Sequence, residues 1–425
     1  MNVSNSRAAL EKLQLKRLRG MLRAVLPSNQ FYRRKFAGID CGRIHSAKQF
    51  RRLPFTTKQE LVDDQSDHPP FGTNLTAAPE RYIRIHQTSG TTGRPMYWLD
   101  TEESWNWWAA CWKVIFEAAG IGAADRIYFA FSFGPFIGFW AGWEGARKLG
   151  ALAISGGAQS TIQRIKSIID HGVTVLVSTP TYALHLASEA RKAGIDLARD
   201  SAVKTTIHAG EPGASIPGTK KLIEASWGAQ CYDHAGATEV GAFGFQCRFQ
   251  SGAMHVNEDE FIVEVIDLRT GTQVEPETAG ELVITNLGRI GSPVVRYRTG
   301  DLVQPSTQPC PCGSPFILLD GGILGRVDDM VIIKGVNVFP SALESVLRGF
   351  TEIEEFRIET FERESIRQLK LIIEPAADRD PAPDLREKIS AAVRERIGLR
   401  PEIELVAAGG LPRFELKAKR FFKLS

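Results

Sequence analysis

The chain has 425 residues, 43% of them hydrophobic and 24% charged, with a formal net charge of +3. This is globular composition with enough length for two or three domains, and so weak a charge implies no polyanion partner by itself. No run of about 18 apolar residues occurs, so no membrane span is expected.

The stretch from Met1 to Arg23 is polar and basic and lacks the apolar centre of a secretory signal. The six cysteines, Cys41, Cys111, Cys231, Cys247, Cys310 and Cys312, are too sparse for a disulfide scaffold. A reducing cytoplasm is the expected location.

Leu10, Leu13, Leu15, Leu18 and Leu22 have helical spacing, which predicts a helix over 8–25 lying on a larger body. Thr57 and Glu60 have capping-box spacing and predict a helix start. Residues 82–85 read as a strand, 96–99 as another. Between them runs His86-Gln87-Thr88-Ser89-Gly90-Thr91-Thr92-Gly93-Arg94-Pro95. Gly90 and Gly93 permit tight bends, so the hydroxyls and N–H groups of Thr88, Ser89, Thr91 and Thr92 can converge on one anion. The loop lacks the Gly-Lys-Ser/Thr of a Walker A loop. A phosphate-binding loop and a plain polar turn are the two readings.

Residues 102–119 predict a helix crowded with Trp105, Trp107, Trp108, Trp112 and Phe116, which reads as core. A strand at 127–131 breaks at Ser132-Phe133-Gly134-Pro135-Phe136. Phe131, Phe133, Gly134, Phe136, Phe139 and Trp140 could wall an apolar pocket, with core packing as the alternative. Helices at 138–149, 162–172 and 182–194 then alternate with strands at 151–157, 173–178 and 205–213. This alternation predicts a mostly parallel sheet flanked by helices, with its turns aligned on one edge. The last of these strands ends in Gly210-Glu211-Pro212-Gly213. The next ends in Tyr232-Asp233-His234-Ala235-Gly236-Ala237-Thr238-Glu239. Thr238 and Glu239 suit Mg²⁺ on a nucleotide, or equally a helix N-cap with a first-turn acid.

Residues 259–305 change to short strands and predict a small barrel or sheet. Arg298-Thr299-Gly300-Asp301 is expected to end the last of them, with Asp301 placed to accept hydrogen bonds from a ribose diol. Cys247, His255, Cys310 and Cys312 could form a closed tetrahedral Zn²⁺ site, although the spacing is not that of a standard finger. Reduced cysteines in a turn are the alternative. Residues 321–330 read as a linker. Beyond it, helices at 340–348 and 385–397 and strands near 331–334, 356–359, 369–373 and 403–406 predict a separate α+β domain. In the basic tail, Lys417 sits between apolar neighbours and could project into a cleft.

Together these motifs resemble the phenylacetate–CoA ligase family of the adenylate-forming (acyl/aryl-CoA synthetase) superfamily. The resemblance rests on Thr88-Ser89-Gly90-Thr91-Thr92-Gly93-Arg94-Pro95, on 232–239, on Arg296-Tyr297-Arg298-Thr299-Gly300-Asp301, on Gly325-Arg326-Val327-Asp328-Asp329-Met330 and on Gly335-Val336-Asn337-Val338-Phe339-Pro340. It implies an α/β fold: a large N-terminal adenylation domain over 1–326, with mostly parallel sheets and a β-rich section near 245–320, and a small mobile α+β domain over 327–425. It also implies ATP, Mg²⁺ and CoA as partners of a small carboxylic acid, with no nucleic acid. A homodimer is left open.

By the same resemblance Thr88, Ser89, Gly90, Thr91, Thr92 and Gly93 hold the ATP phosphates, and Glu239 binds Mg²⁺ with Thr238 near the α-phosphate. Gly210, Glu211 and Pro212 line the adenine pocket, and Asp301 and Arg326 hold the ribose. Lys417 bridges the acid and the α-phosphate, Asp328 is the hinge, and Gly335 meets the CoA tunnel. The family pattern also implies structural Zn²⁺ at Cys247, His255, Cys310 and Cys312. The sequence departs from that pattern at Ala235, where an adenine-stacking aromatic is usual, which leaves Tyr232 or His234 for that role. It departs also at Gly213, where an aromatic is common, at Arg94 for Lys, and at Phe414-Glu415-Leu416 before Lys417. Transfer to a carrier-protein thiol or an amine, or a degenerate nucleotide-binding protein, are the alternatives to CoA ligation.

Overall fold

Short apolar runs with both faces covered make poor helices and good central strands. Three such runs, Arg126–Phe129, Val175–Ser178 and Thr205–His208, form the middle of an eight-stranded sheet in the computed structural model of the chain. The structure describes residues 6–88, 95–334, 336–363, 366–376, 383–414 and 420–424. The sheet order is Leu318–Asp320, Ala253–Val256, Gly241–Phe245, Gln230–Ala237, Thr205–His208, Val175–Ser178, Arg126–Phe129 and Leu152–Ser155. The last five strands are parallel, and the first four pair antiparallel. The parallel strands are linked by helices that include Ile137–Leu149, Thr161–Asp170, Pro180–Lys192 and Pro217–Trp227.

Alternation along each strand feeds two cores. Ile127, Phe129, Val175, Val177 and Ile207 pack with the tryptophans of helix Glu102–Ala118. Tyr128 and Leu176 pack on the other face with Ile165, Tyr182, Leu186 and Trp227. Trp105, Trp107, Trp108 and Trp112 are all buried, so the tryptophan-rich helix is core. Helix Arg7–Val25 lies on this body through Leu10, Leu18 and Leu22, and Gln14 Nε2 donates to the carbonyls of Glu258 and Phe261 at 2.9 Å each. Among the described residues no helix is long and apolar enough to cross a membrane.

The α/β expectation is met, and three local readings are corrected. The strands Gly241–Phe245, Ala253–Val256 and Leu318–Asp320 extend the main sheet. Only Phe261–Ile266, Gly280–Asn286, Tyr297–Val303 and Gly325–Arg326 make the separate antiparallel sheet. Asp301 does not end its strand, because Gly300 takes a φ of 73° and the strand continues to Val303. The expected linker is partly sheet, with Arg326 pairing Asp301.

A further core gathers Val331, Leu343, Leu347, Phe356, Ile358, Leu371, Ile373, Ile389 and Val393 under a four-stranded sheet ordered Glu402–Leu405, Ile366–Pro375, Ile353–Arg363, Phe421–Lys423. Helices Pro340–Leu347 and Leu385–Ile397 cover it. Gly218, in the first turn of Pro217–Trp227, lets the two bodies meet. A Cβ there would stand 2.3 Å from the Arg348 carbonyl.

Arg289 is fully buried and donates through Nε and Nη2 to the two oxygens of Asp100, each at 2.7 Å. The rings of Trp98 and Trp108 lie 5.0 and 5.2 Å from its guanidinium carbon. Arg289→Ala would leave the Asp100 carboxylate buried and unpaired. The expected loss is about 3–5 kcal/mol of stability, measured by urea unfolding.

Candidate active site

The parallel strands end together. Phe129 pairs Ser155, Ser178 pairs His208 and His208 pairs Asp233. The aromatic turn at 131–136, Thr179-Pro180, Gly210-Glu211-Pro212-Gly213 and Thr238-Glu239 therefore leave one edge, where open α/β sheets bind ligands. The hairpin of Tyr82–Gln87 and Tyr97–Thr101 joins them, since Gln87 N donates to Pro135 O at 3.0 Å. Thr88 closes the neck of the intervening loop: its N donates to Met96 O at 2.9 Å and its Oγ1 accepts from Met96 N at 3.0 Å. Ser89, Gly90, Thr91, Thr92, Gly93, Gly335 and Lys417 lie outside the described residues.

No helix follows Thr238 and Glu239. The chain turns into strand Gly241–Phe245, which removes the N-cap alternative. Arg289 Nη1 donates to the carbonyls of Thr238 and Glu239, at 2.5 and 3.4 Å. Tyr297 OH donates to Glu239 Oε1 at 3.4 Å, and Lys58 Nζ lies 3.6 Å from the same oxygen. Burial holds the Tyr297 phenol well above its ordinary pKa, so it remains a donor. Lys58 and Arg289 have no signal of their own in the sequence, and Tyr297 stands in the 296–301 motif with no role assigned to it. Lys58 is hidden in a capping box, and Arg289 stands 189 positions from Asp100.

Asp301 faces Arg326 at 3.0 Å, and Arg326 also donates to Thr299 O at 2.8 Å and to Asp328 at 3.2 Å. Burial raises the Asp301 carboxyl pKa, and the guanidinium opposes the rise. Glu211 Oε1 accepts from Thr181 N at 2.9 Å, and the turn before it needs Gly210, whose φ is 95°. Gly213 is a matter of space, since a Cβ there would lie 2.5 Å from Pro180 Cβ.

Tyr232 and His234 are both buried and committed to the body of the sheet. The Tyr232 hydroxyl donates to Gln230 Oε1 at 2.8 Å. The His234 ring packs 4.4 Å from Trp112, with Nδ1 2.7 Å from Gly244 O. Burial lowers the His234 pKa to about 4, which keeps the ring neutral. Neither ring offers an open face in place of the one missing at Ala235, which is itself buried opposite Gly244.

The aromatic turn is a packed wall. Phe131 stacks on Phe139 at 3.3 Å, and Phe133 meets Trp140 at 4.7 Å and Trp143 at 5.6 Å. Trp140 Nε1 ties the wall to Gly134 O at 2.9 Å, and Phe136 is exposed at the rim.

Away from this edge, Cys247, His255, Cys310 and Cys312 bring their donor atoms within 4.8 Å of one another. Cys247 Sγ lies 3.5 Å from Cys310 Sγ, and Cys312 Sγ lies 3.5 Å from His255 Nε2. Tetrahedral bonds of about 2.3 Å would separate sulfur ligands by about 3.8 Å, so the cluster has the size and chemistry of a zinc site. Burial lifts the Cys310 thiol to about 12. At Cys247 burial acts the same way, but hydrogen bonds from His255 and Phe249 N outweigh it and lower the thiol.

Residues 335–424 match the family described as AMP-binding enzyme C-terminal domain. The phenylacetate–coenzyme A ligase of Pseudomonas putida is 31% identical over 423 residues, covering 96% of this chain and 93% of that one. The chain belongs to the phenylacetate–CoA ligase family. It is an AMP-forming acid–thiol ligase that works through an acyl-adenylate. Among solved structures, 2-hydroxyisobutyryl-CoA ligase in its post-adenylation state with a bound adenylate superposes with a TM-score of 0.93 at 29% identity, covering 99% of this chain and 91% of that one. The same ligase in its thioesterification state, with adenylate and CoA, gives 0.75 at 30% identity and the same coverage.

One departure of this ligase from its family pattern can be tested by stability. Gly213→Phe should drive a ring into Pro180 and cost about 1–3 kcal/mol, measured as a lower thermal unfolding midpoint.

Proposed function

We propose that the chain activates an aromatic carboxylic acid, of the aryl or arylacetic type, and transfers it to CoA. The observation that carries the aromatic assignment is the wall of Phe131, Phe133, Phe139 and Trp140 at the strand edge, beside the hairpin of the Thr/Ser-rich loop. A carboxylate oxygen of the acid bonds to the α-phosphorus of ATP as the bond to pyrophosphate breaks. The CoA sulfur then bonds to the acyl carbon, and AMP leaves with the connecting oxygen.

In this reading the loop 88–93 cradles the phosphates, with Thr88 fixing its neck. Gly210, Glu211 and Pro212 flank the adenine, and Asp301 and Arg326 face the ribose. Thr238 sits near the α-phosphate. Glu239 offers one hard oxygen donor, which suits Mg²⁺ that takes its remaining ligands from phosphates and water. That ion would supply charge neutralisation for the triphosphate. Lys58 adds a positive charge beside Glu239. Lys417 bridges the acid and the α-phosphate oxygens, where charge develops.

The unit over 327–425 then turns about Asp328, takes Lys417 away and brings Gly335 to the CoA tunnel. The higher similarity to the post-adenylation arrangement supports reading this structure as the state of the first half-reaction. Cys247, His255, Cys310 and Cys312 hold a structural Zn²⁺ that staples strand Ala253–Val256 to the Cys310-Pro311-Cys312 turn.

Acid-dependent pyrophosphate release should be measured over aryl, arylacetic, indolic and aliphatic acids, with and without CoA and with mass detection. The expected product is the CoA thioester of one aromatic acid. Preference for an aliphatic acid would overturn the aromatic assignment. Adenylate without thioester would move the acceptor to a carrier-protein thiol or an amine. Lys417→Ala should slow pyrophosphate release by about 10²–10³-fold.

Metal analysis of the purified protein should find one zinc per chain. The double variant Cys310→Ser, Cys312→Ser should lose it and melt earlier while keeping pyrophosphate release. Metal-free wild-type protein with the same melting point would leave the cluster as reduced thiols.

A further inference from the structure

Ion pairs hold the described residues on either side of 415–419, the stretch that contains Lys417. Before it, Arg413 Nη1 and Nη2 donate to Glu374 at 3.0 and 2.5 Å, and the same carboxylate accepts from Gly409 N and Leu411 N at 2.8 and 3.0 Å. After it, Arg420 Nε and Nη2 donate to the two oxygens of Glu355 at 2.6 and 3.0 Å. Arg420 is buried, packed against the rings of Phe356 and Phe414, and its backbone oxygen accepts from Ile358 N at 2.7 Å.

Arg420 also reaches out of its own unit. Nη1 and Nη2 stand 3.3 and 3.4 Å from Thr181 Oγ1, in the first turn of helix Pro180–Lys192. The backbone N of the same threonine donates to Glu211 of the 210–213 turn. One helix turn is thus held from one side by the predicted adenine loop and from the other by the tail. Around the junction stand Glu344, 3.3 Å from Arg420 Nη1, and Arg348, 3.6 Å from Glu355. The Gly218–Arg348 approach lies at the same joint.

The bonds differ in kind. Inside its unit Arg420 makes charge-assisted, paired contacts, which are the strong ones. Across the joint its hydrogen bonds to Thr181 are long ones to a neutral hydroxyl, and the Glu211 carboxylate of the large body acts on its charge. Such a joint can hold and release, because Arg420 keeps Glu355 as its partner when it lets go of Thr181.

We propose that Arg420 is a positioning residue for adenylation: through Thr181 it locks the C-terminal unit onto the large body and so fixes both ends of the Lys417 segment. This rests on the reading that Lys417 acts in the first half-reaction. The substitution Thr181→Val removes the hydroxyl without touching the C-terminal unit. Gly218→Val blocks the same docking by sterics. Two rates separate positioning from general damage, namely acid-dependent pyrophosphate exchange and thioester formation from pre-made acyl-adenylate and CoA.

Thr181→Val should slow exchange by about three- to tenfold, and Gly218→Val by more, with thioester formation and unfolding midpoint unchanged. Arg420→Lys should fall between wild type and Arg420→Gln in exchange. Equal loss in both half-reactions, or full exchange activity in both Thr181→Val and Gly218→Val, would overturn the proposal. Lys417→Ala runs beside them. If it kept full exchange, the role of Lys417 would fall, and the proposal with it. If it lost exchange while the joint variants did not, only the lock would fall.

Discussion

Arg289 is the charge on which the geometry of the strand edge depends. A guanidinium with no exposure to water must find every partner inside the protein. Its partners come from two stretches remote from it in sequence: residues 98–108, with the Asp100 carboxylate and the ring faces of Trp98 and Trp108, and the carbonyls of Thr238 and Glu239. The cation cannot satisfy one of these and leave another. The Thr/Ser-rich hairpin and the Thr-Glu turn are therefore held at a fixed separation, whatever occupies the space between them. Removing the charge would release both segments at once, which makes Arg289 a residue of stability and of site geometry together.

Around that fixed point the structure consists of bodies with separate cores. The eight-stranded sheet places four turns on one edge, and its two cores leave them little freedom. The C-terminal unit has its own core, and among the described residues its contacts with the large body include a glycine against a carbonyl, an arginine against a hydroxyl, and Ser341 Oγ against Leu324 O. The proposed turn between two half-reactions would require these contacts to be made and broken in each turnover.

The departures from the family pattern are about space as much as chemistry. Gly213 lets Pro180 approach, so an aromatic there would need a different path for the chain at Thr179-Pro180. Ala235 pairs with Gly244 across two tightly packed strands, and its neighbours Tyr232 and His234 are buried. The Cys and His cluster has the donor set of a possible metal site. The backbone brings together four donors from two segments that the sequence separates by more than fifty positions.

The sequence by itself determined the alternation of strands and helices, the location of the turns, the tryptophan core and the order of the nucleotide motifs. Each of these is local: periodicity, a glycine or proline at a break, or a short run of hydroxyls is legible within about ten residues. It misread the strand through Gly300, because whether a glycine ends a strand or bulges it depends on the neighbour that pairs beyond it, here Arg326. It left open the helix-cap reading of Thr238 and Glu239, which the antiparallel return of Gly241–Phe245 removes. Only the tertiary structure decided the partners of Glu239, the burial of Arg289 and the reach of Arg420 to Thr181. Those contacts join segments far apart in the chain. Their energies come from desolvation and pairing, which exist only once distant side chains share one dry space.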